Sequence, residues 1–183
     1  MIGVLVSGSG TNLQALIDAG LPIAAVASNV ESARGIARAA DAGIDTAVFP
    51  LEAHADRTER DTAMAGWLAE RGVTLVVLAG YMHLLTPAFL ERFPDSVVNV
   101  HPSLLPRFPG ARAVEEQLAA GVTESGATVH LVDEGIDSGT ILAQDVVPVL
   151  PGDTAETLHE RIKAVEHRLL PRVVSGLLER VSA

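Results

Sequence analysis

Short apolar runs alternate with amphipathic segments along the first half of the chain. Four of these runs are rich in Val, Leu, Ile and Ala and predict strands that are buried on both faces. They cover residues 2–6, 22–28, 46–49 and 73–79. The segments between them have helical periodicity, at residues 12–18, 32–42 and 57–70. This order predicts a parallel, doubly wound sheet with right-handed crossovers.

The second half changes character. It predicts strands at residues 97–100, 127–132 and 141–149 and a helix at 113–120. A long final helix follows, in which apolar residues recur at steps of three or four and form one stripe. Pro171 lies inside this helix and is expected to kink or interrupt it. The stripe consists of Leu158, Ile162, Val165, Leu169, Val173, Leu177 and Val181. The predicted fold class is α/β, a single-domain, doubly wound, mostly parallel sheet with helices on both faces, related to the Rossmann folds.

The composition of the chain excludes several kinds of partner and site. The 183 residues carry a net charge of −10 with only 13 Lys and Arg, which argues against a nucleic-acid surface. The chain has no Cys, which excludes disulfides, thiolate nucleophiles and Cys-based zinc sites. No basic leader and no apolar run of membrane-spanning length is found, so we expect a cytoplasmic protein without a membrane partner.

The strongest chemical signal is the run from Asn99 to Pro106, where an amide and an imidazole stand two residues apart at the end of an apolar strand. In an extended chain Asn99 and His101 face the same side, where they could act as paired oxyanion donors. Pro102 and Pro106 predict a stiff, irregular loop beyond them. A histidine at a strand end is more often a structural or surface residue, so this motif alone leaves both interpretations open.

A second polar cluster, residues 133–139, lies between two predicted strands and contains Asp137. Its carboxylates could orient a histidine, bind a metal or simply close a hairpin. Because the sequence has no His-Glu-x-x-His motif and no paired Cys or His spacing, we expect no catalytic metal. Ser103 lies near His101 but outside a Gly-x-Ser-x-Gly elbow, so a nucleophilic serine is not supported.

The loop Gly8-Ser9-Gly10 connects the first predicted strand to the first helix, a position that favours an anion. It is not a dinucleotide fingerprint, since Leu13 occupies the place of the third glycine, and no Walker lysine follows. By itself the loop is equally consistent with a phosphate cradle and with a tight structural turn.

These motifs together carry a resemblance to a known family. Asn99, His101, the Ser-Leu-Leu-Pro run, Phe108-Pro109-Gly110 and Ile136-Asp137-Ser138-Gly139 resemble the signature of the folate-dependent formyltransferases. The opening residues 7–14 resemble the branch that moves a formyl group from 10-formyltetrahydrofolate to glycinamide ribonucleotide in purine synthesis. The similarity covers residues 2–175, and it implies a phosphate-binding half at 1–98 and a catalytic and folate-binding half at 99–183.

The resemblance also implies roles for individual residues. It implies that Asn99 and protonated His101 stabilise a tetrahedral oxyanion, while Asp137 favours the imidazolium and assists proton transfer. Thr128 and His130 would support them, although His130 could equally be a hydrogen-bonded structural residue. The residues implied for glycinamide ribonucleotide are Gly10, Thr11, Asn12 and Arg57 at the phosphate and Glu166 at the ribose. Without the resemblance, residues 56–61 are typical of a solvated face of mixed charge, and Glu166, beside Lys163, of a solvated helix flank.

The folate pocket is implied at Met82, His83, Leu84 and Leu85, together with Asn99. His83 stands where the family commonly has Arg or Lys, so the resemblance implies backbone contacts here but no salt bridge to the folate's glutamate tail. From the residues alone, 82–85 would more often be apolar helix-capping core.

Three rival functions share parts of these motifs. A formyltetrahydrofolate hydrolase has the same Asn, His and Asp but is expected to carry an additional regulatory domain. A methionyl-tRNA formyltransferase needs an RNA-binding domain and a basic surface. A non-catalytic folate- or nucleotide-binding module leaves Asn99, His101 and Asp137 without a joint purpose. We therefore expect two small-molecule substrates as partners, in a monomer or homodimer.

Overall fold

The computed structural model describes residues 1–181, with the side chains described as far as Arg180. The chain divides into two compact units, Met1–Val98 and a second that begins at Asn99. In the part of the chain that is described, no helix is both long and apolar enough to cross a membrane.

The first unit contains a parallel sheet. Strand β1 pairs in parallel with β2 and with β4, and β2 pairs in parallel with β3, in the order β3-β2-β1-β4. This confirms the parallel sheet that the alternating pattern predicts. The strands are β1 Ile2–Val6, β2 Ile23–Ser28, β3 Asp45–Val48 and β4 Leu75–Leu78.

Five helical segments connect or follow these strands. They are α1 Thr11–Asp18, α2 Arg34–Asp41, a 3₁₀ turn at Leu51–Ala53, α3 Arg57–Glu70 and α4 Pro87–Leu90. Helix α3 begins where the sequence predicts, because the carboxylate of Asp56 accepts a hydrogen bond from the amide of Glu59 and caps its first turn. The 3₁₀ turn and α4 are too short to leave a periodic pattern, and the sequence does not predict them.

Every residue of β1 and β4 is buried, so neither strand shows the alternation of a sheet with one solvated face. The edge strand β3 is partly exposed instead. The carboxyl ends of β1 and β4 are joined by a hydrogen bond from the Ser7 amide to the Gly80 carbonyl, at 3.1 Å. The two loops that carry candidate site residues of this unit therefore start side by side.

The second unit begins within β5 Val97–His101 and continues with α5 Ala113–Ala119, β6 Glu124–Leu131, β7 Ile141–Pro148 and α6 Ala155–Val181. Strands β6 and β7 form an antiparallel hairpin. The sequence predicts both strands, although β6 starts three residues before the predicted 127–132. The peptide bond between Leu105 and Pro106, in the irregular loop after β5, is cis.

Helix α6 runs without interruption through Pro171, so of the two effects expected of this proline, a kink or an interruption, the interruption does not occur. Pro171 is itself buried, and its neighbours Leu170 and Val174 are fully buried where α6 packs against β6 and β7. This packing offsets the backbone hydrogen bond that a proline removes. The predicted stripe is buried at Leu158, Ile162, Val165 and Leu169, while Val173 and Leu177 are only half-buried and the side chain of Val181 lies outside the described part.

Candidate active site

The second unit brings four of the predicted polar residues together. Asn99 and His101 lie on β5, His130 near the end of β6, and Asp137 in the turn between β6 and β7. The Asp137 carboxylate lies 3.4 Å from the Asn99 amide nitrogen, 3.3 Å from His101 Nδ1 and 3.5 Å from His130 Nε2. His101 and His130 are 5% and 2% exposed, so the cluster lies largely out of water.

Neighbouring oxygens indicate which ring nitrogens carry protons. His130 Nδ1 lies 2.8 Å from the carbonyl of Leu131 and donates to it, while Nε2 lies 3.2 Å from the Asn99 amide nitrogen. In His101 both nitrogens face oxygens, with Nε2 2.8 Å from the Phe108 carbonyl and Nδ1 beside Asp137. The doubly protonated imidazolium satisfies both contacts, whereas a neutral ring satisfies only one.

Asp137 is held as a carboxylate. Burial by itself raises the pKa of this group, but hydrogen bonds from His130 and from the Gly110 amide, with the charges of His101 and His130, lower the pKa below its ordinary value. The Gly110 amide donates to Oδ2 at 2.8 Å. A carboxylate that stays ionised at neutral pH provides a fixed negative charge beside the His101 ring.

The backbone around the cluster is strained. Asp137 and Phe108 have φ values of 50° and 55°, in the left-handed region that residues with side chains seldom adopt. In the same turn, a Cβ on Gly139 would lie 1.8 Å from the carbonyl oxygen of Leu131, so this position requires glycine. Strain of this kind persists only where surrounding contacts enforce it and is concentrated at functional sites.

Thr128 is fully buried and acts on the loop after β5. Its hydroxyl donates to the Ser103 carbonyl at 2.6 Å and accepts from the Leu105 amide at 3.1 Å. The side-chain amide of Gln144 donates to the same hydroxyl and to the Leu105 carbonyl, at 2.9 and 2.8 Å. Gln144 carries no motif in the sequence, and only the pairing of β6 with β7 places it here.

In the first unit, the Gly8–Gly10 loop leads into α1. Gly10 has a φ of +69°, and a Cβ there would lie 2.5 Å from Cα of Gly35 in α2, so this site requires glycine. The first amides of an α-helix have no carbonyl within the helix to bind, so the start of α1 is a position that favours an anion. Helix α2 stabilises this loop further, because Arg38 donates to the Ser9 carbonyl at 2.8 Å. The sequence reasoning missed Arg38, which lies in another helix.

Arg57 lies against the predicted folate segment. Its guanidinium donates to the carbonyl of Leu84. Residues 82–85 are not helical; Met82 and Leu84 are 65% and 50% exposed, whereas Leu85 is buried. The interpretation of these residues as helix-capping core is therefore wrong for Met82 and Leu84, which form an exposed apolar edge.

The interpretations of residues 56–61 as a solvated face and of Glu166 as part of a solvated helix flank are also wrong. Arg60 and Asp61 are fully buried and form an ion pair at 2.7 Å, so the mixed charges at 56–61 are not all on a solvated face. Glu166 is 4% exposed, and Lys163 pairs with Glu160 at 2.6 Å. Charge patterns along a helix do not show which of its positions a tertiary contact covers. Within residues 1–181, no group of three or more acidic or histidine side chains is arranged to hold a metal ion.

Comparison with known proteins places this geometry in a family. A family model described as formyl transferase matches residues 1–174. The chain is 44% identical to the trifunctional purine biosynthetic protein adenosine-3 of Drosophila pseudoobscura pseudoobscura, with 99% of the chain aligned but only 14% of that protein's length. It is 42% identical to the phosphoribosylglycinamide formyltransferase of Haemophilus influenzae, over 97% of the chain and 87% of that enzyme.

A solved structure agrees with these sequence matches. Glycinamide ribonucleotide transformylase 1 from Symbiobacterium toebii superposes with a TM-score of 0.93 at 47% identity, covering 94% of this chain and 84% of that one. The predicted α/β class with a mostly parallel sheet and the predicted family are thus confirmed. From its matched residues, its fold and these relatives, the chain belongs to the formyl transferase family.

Proposed function

We propose that this chain transfers the formyl group of 10-formyltetrahydrofolate to the primary amine of glycinamide ribonucleotide. The observation that carries the proposal is the convergence of Asn99 and His101 on the carboxylate of Asp137, at 3.4 and 3.3 Å, in a largely buried cluster. Relatives named for this reaction support the choice of substrates.

Formyl transfer requires stabilisation of one negative charge and movement of one proton. The substrate amine attacks the formyl carbon, the carbonyl π electrons move to oxygen, and a tetrahedral intermediate forms. When that oxygen regenerates the carbonyl, the bond from carbon to folate N10 breaks. The nitrogen that enters loses a proton, and N10 gains one. No electrons are exchanged with a redox group, so two oxyanion donors and a path for a proton are sufficient.

Asn99 and His101 are the donors in this proposal. The N–H groups of the Asn99 amide and of the His101 imidazolium stabilise the negative charge that develops on the formyl oxygen. Burial strengthens this electrostatic effect. His101 Nε2 already donates to the Phe108 carbonyl, so the developing oxyanion competes with that carbonyl for this N–H. An anion wins this competition because charge-assisted hydrogen bonds are stronger than neutral ones.

Asp137 keeps His101 cationic and ordered. Its carboxylate lies 3.3 Å from His101 Nδ1 and is itself held by the hydrogen bond from the Gly110 amide. Because its pKa is lowered, this carboxylate is a weak base at neutral pH. We therefore assign the proton transfer to water beside Asp137, with the carboxylate orienting that water.

Other residues bind the two substrates. We assign the phosphate of glycinamide ribonucleotide to the α1 amides at Gly10, Thr11 and Asn12, with Arg57 as a nearby cation, and its ribose to Glu166. We assign the folate cosubstrate to residues 82–85 and to Asn99. The exposed side chains of Met82 and Leu84 support this assignment, since a flat pterin ring needs an apolar edge.

The decisive experiment compares glycinamide ribonucleotide with water as the acceptor of the formyl group. Purified protein is given 10-formyltetrahydrofolate, and release of tetrahydrofolate is followed with and without glycinamide ribonucleotide. We expect release to depend on glycinamide ribonucleotide and to match the formylated nucleotide formed. Equal release in its absence would identify a hydrolase, and folate binding without release would identify a non-catalytic module.

A further inference from the structure

The predicted folate segment is held at both ends by side chains. The segment comprises residues 82–85, follows β4 and is succeeded directly by Thr86. At one end the Met82 amide donates to the Ser7 hydroxyl at 2.9 Å. At the other end the Thr86 amide donates to the Asp61 carboxylate at 2.7 Å. Both anchors lie on elements outside the segment, Ser7 after β1 and Asp61 in α3.

His83 connects these two anchors. Its Nδ1 lies 2.7 Å from Nη1 of Arg60, which is paired with Asp61. Its Nε2 lies 3.3 Å from the side-chain amide of Asn29, which in turn is 2.6 Å from the Ser7 hydroxyl. A continuous line of hydrogen bonds thus joins one end of the segment to the other through the His83 ring.

The chemistry of Arg60 decides the protonation of this ring. A guanidinium has only donors, so His83 Nδ1 must accept and cannot carry a proton. The ring is therefore neutral, with its proton on Nε2, and Asn29 must accept from it. The amide oxygen of Asn29 then faces His83 and its nitrogen faces Ser7, an orientation with the same heavy-atom positions after a half-turn of the amide.

A second proton on His83 would break this arrangement. It would place an N–H of a cationic ring against Arg60, whose side chain is fully buried and cannot move into water. The charged and titratable groups around the ring are Arg60, Arg57, Asp61 and Tyr81. Burial first, then the charges of Arg60 and Arg57, lower the pKa of His83, and Asp61 acts in the opposite direction. Burial raises the pKa of Tyr81 to about 12, so that phenol stays neutral.

We propose that His83 is a positioning residue for the folate cosubstrate, whose neutral ring ties the Ser7 end of the segment to the Asp61 end. This inference deepens the proposed function and rests on it. Fixing both ends sets the position of the exposed apolar edge at Met82 and Leu84. Protonation of the ring removes the acceptor for Arg60 and releases the segment.

Two substitutions separate hydrogen bonding from titration. His83→Phe keeps a ring but removes both hydrogen bonds and leaves the Arg60 donor unpaired. His83→Asn keeps an acceptor near the position of Nδ1 and cannot titrate. His54→Gln serves as the matched control, because His54 belongs to the same unit and lies against Phe49, outside the segment.

We expect His83→Phe to raise KM for 10-formyltetrahydrofolate about tenfold or more, the effect of an unpaired buried donor, and KM for glycinamide ribonucleotide less than twofold. His83→Asn should recover much of this loss. In the wild type and in His54→Gln, KM for the folate should rise as pH falls from 8 to 5.5, whereas in His83→Asn it should stay flat. Equal changes in both KM values, or the same pH dependence in His83→Asn, would overturn the proposal.

Two measurements are independent of turnover. Nitrogen NMR of the His83 ring should show the neutral form with the proton on Nε2 at pH 7, and a proton on Nδ1 at that pH would refute the argument. Calorimetric titration with tetrahydrofolate alone should show weaker binding to His83→Phe than to the wild type. If the wild type binds tetrahydrofolate in this way but forms no formylated nucleotide, the proposed function fails and the positioning role stands. If transfer occurs and His83→Phe binds tetrahydrofolate normally, only the positioning role fails.

Discussion

Replacing Asp137 by Asn tests the charge of the carboxylate separately from its shape. The Asn side chain has almost the same size, and its oxygen can still accept from the Gly110 amide, which lies 2.8 Å from Oδ2. Its nitrogen takes the place of Oδ1, which lies 3.4 Å from the Asn99 amide nitrogen and 3.5 Å from His130 Nε2. The substitution therefore keeps the size of the side chain and the Gly110 contact, and it removes the negative charge beside His101 together with the acceptor at Oδ1.

The expected loss follows from what that charge does. Without a carboxylate 3.3 Å from Nδ1, the imidazolium of His101 loses its counter-charge, and the oxyanion loses a cationic donor. Removing one oxyanion donor lowers kcat by roughly 100- to 1,000-fold, or about 2.7–4 kcal/mol of transition-state stabilisation. We expect a loss of this size in Asp137→Asn, with KM for both substrates changed far less.

The assay is steady-state release of tetrahydrofolate, with circular dichroism to confirm that the variant is folded. Combining Asp137→Asn with Asn99→Ala and His101→Ala should lower the rate by less than the product of the single losses, because the three groups act on one transition state. A folded Asp137→Asn protein with near wild-type kcat would refute the role of the charge.

The comparison of wild type with Asp137→Asn also tests how the free energy of unfolding depends on pH. The pKa of Asp137 is lower in the folded protein than its ordinary value of about 3.9, so its ionisation stabilises the fold above that pH. This contribution is lost as pH falls through the folded pKa. The difference in free energy of unfolding between wild type and Asp137→Asn should therefore be constant from pH 5 to 8 and shrink below about pH 4. Urea unfolding at several pH values measures it, and a difference that already shrinks near pH 6 would contradict the lowered pKa.

Three further predictions concern other parts of the chain. Gly10→Ala should raise KM for glycinamide ribonucleotide more than KM for the folate and lower the free energy of unfolding by at least ~1–2 kcal/mol, because its Cβ meets Gly35 in a left-handed backbone; equal KM changes would make the loop a structural turn. Arg60→Met should lower the free energy of unfolding by about 3–5 kcal/mol, since it leaves the buried carboxylate of Asp61 without its cation, and a loss below ~1 kcal/mol in urea unfolding would contradict this. Activity should survive exhaustive dialysis against a chelator, because the sequence lacks metal-ligand motifs and the formyl donor arrives already activated; reactivation of a chelated enzyme by zinc would make His101 and Asp137 candidate ligands.

Much of the fold could be predicted from local pattern. The apolar runs of β1 and β4 have no alternation, and this is the signal of a sheet covered on both faces. The continuity of α6 through Pro171 could not be predicted in this way. The local cost of a proline in a helix follows from the sequence, but the packing of Leu170 and Val174 that offsets it does not. Short elements such as α4 were missed for a simpler reason, since four residues make little more than one helical turn and cannot show a repeating pattern.

Some residues of the candidate site could likewise be predicted from local sequence, and others could not. Asn99 and His101 are two residues apart on a strand, so their common face follows from local geometry, and the structure brings both against Asp137. Arg38, Arg60 and Gln144 had no such signal. Each acts on a segment far away in the chain, so its environment depends on how elements pack rather than on its neighbours in sequence.

Sequence alone was sufficient for the parallel order of the first strands, the loop at the start of α1 and the polar residues at the end of β5, because these depend on periodicity and on the chemistry of adjacent residues. Only the tertiary structure decided burial and protonation. The charged pair Arg60 and Asp61 looks solvated in the sequence, yet it is buried and holds His83 neutral. The physical reason is that the free energy of a charge depends on the dielectric environment and on the groups in contact with it, and distant parts of the chain supply both.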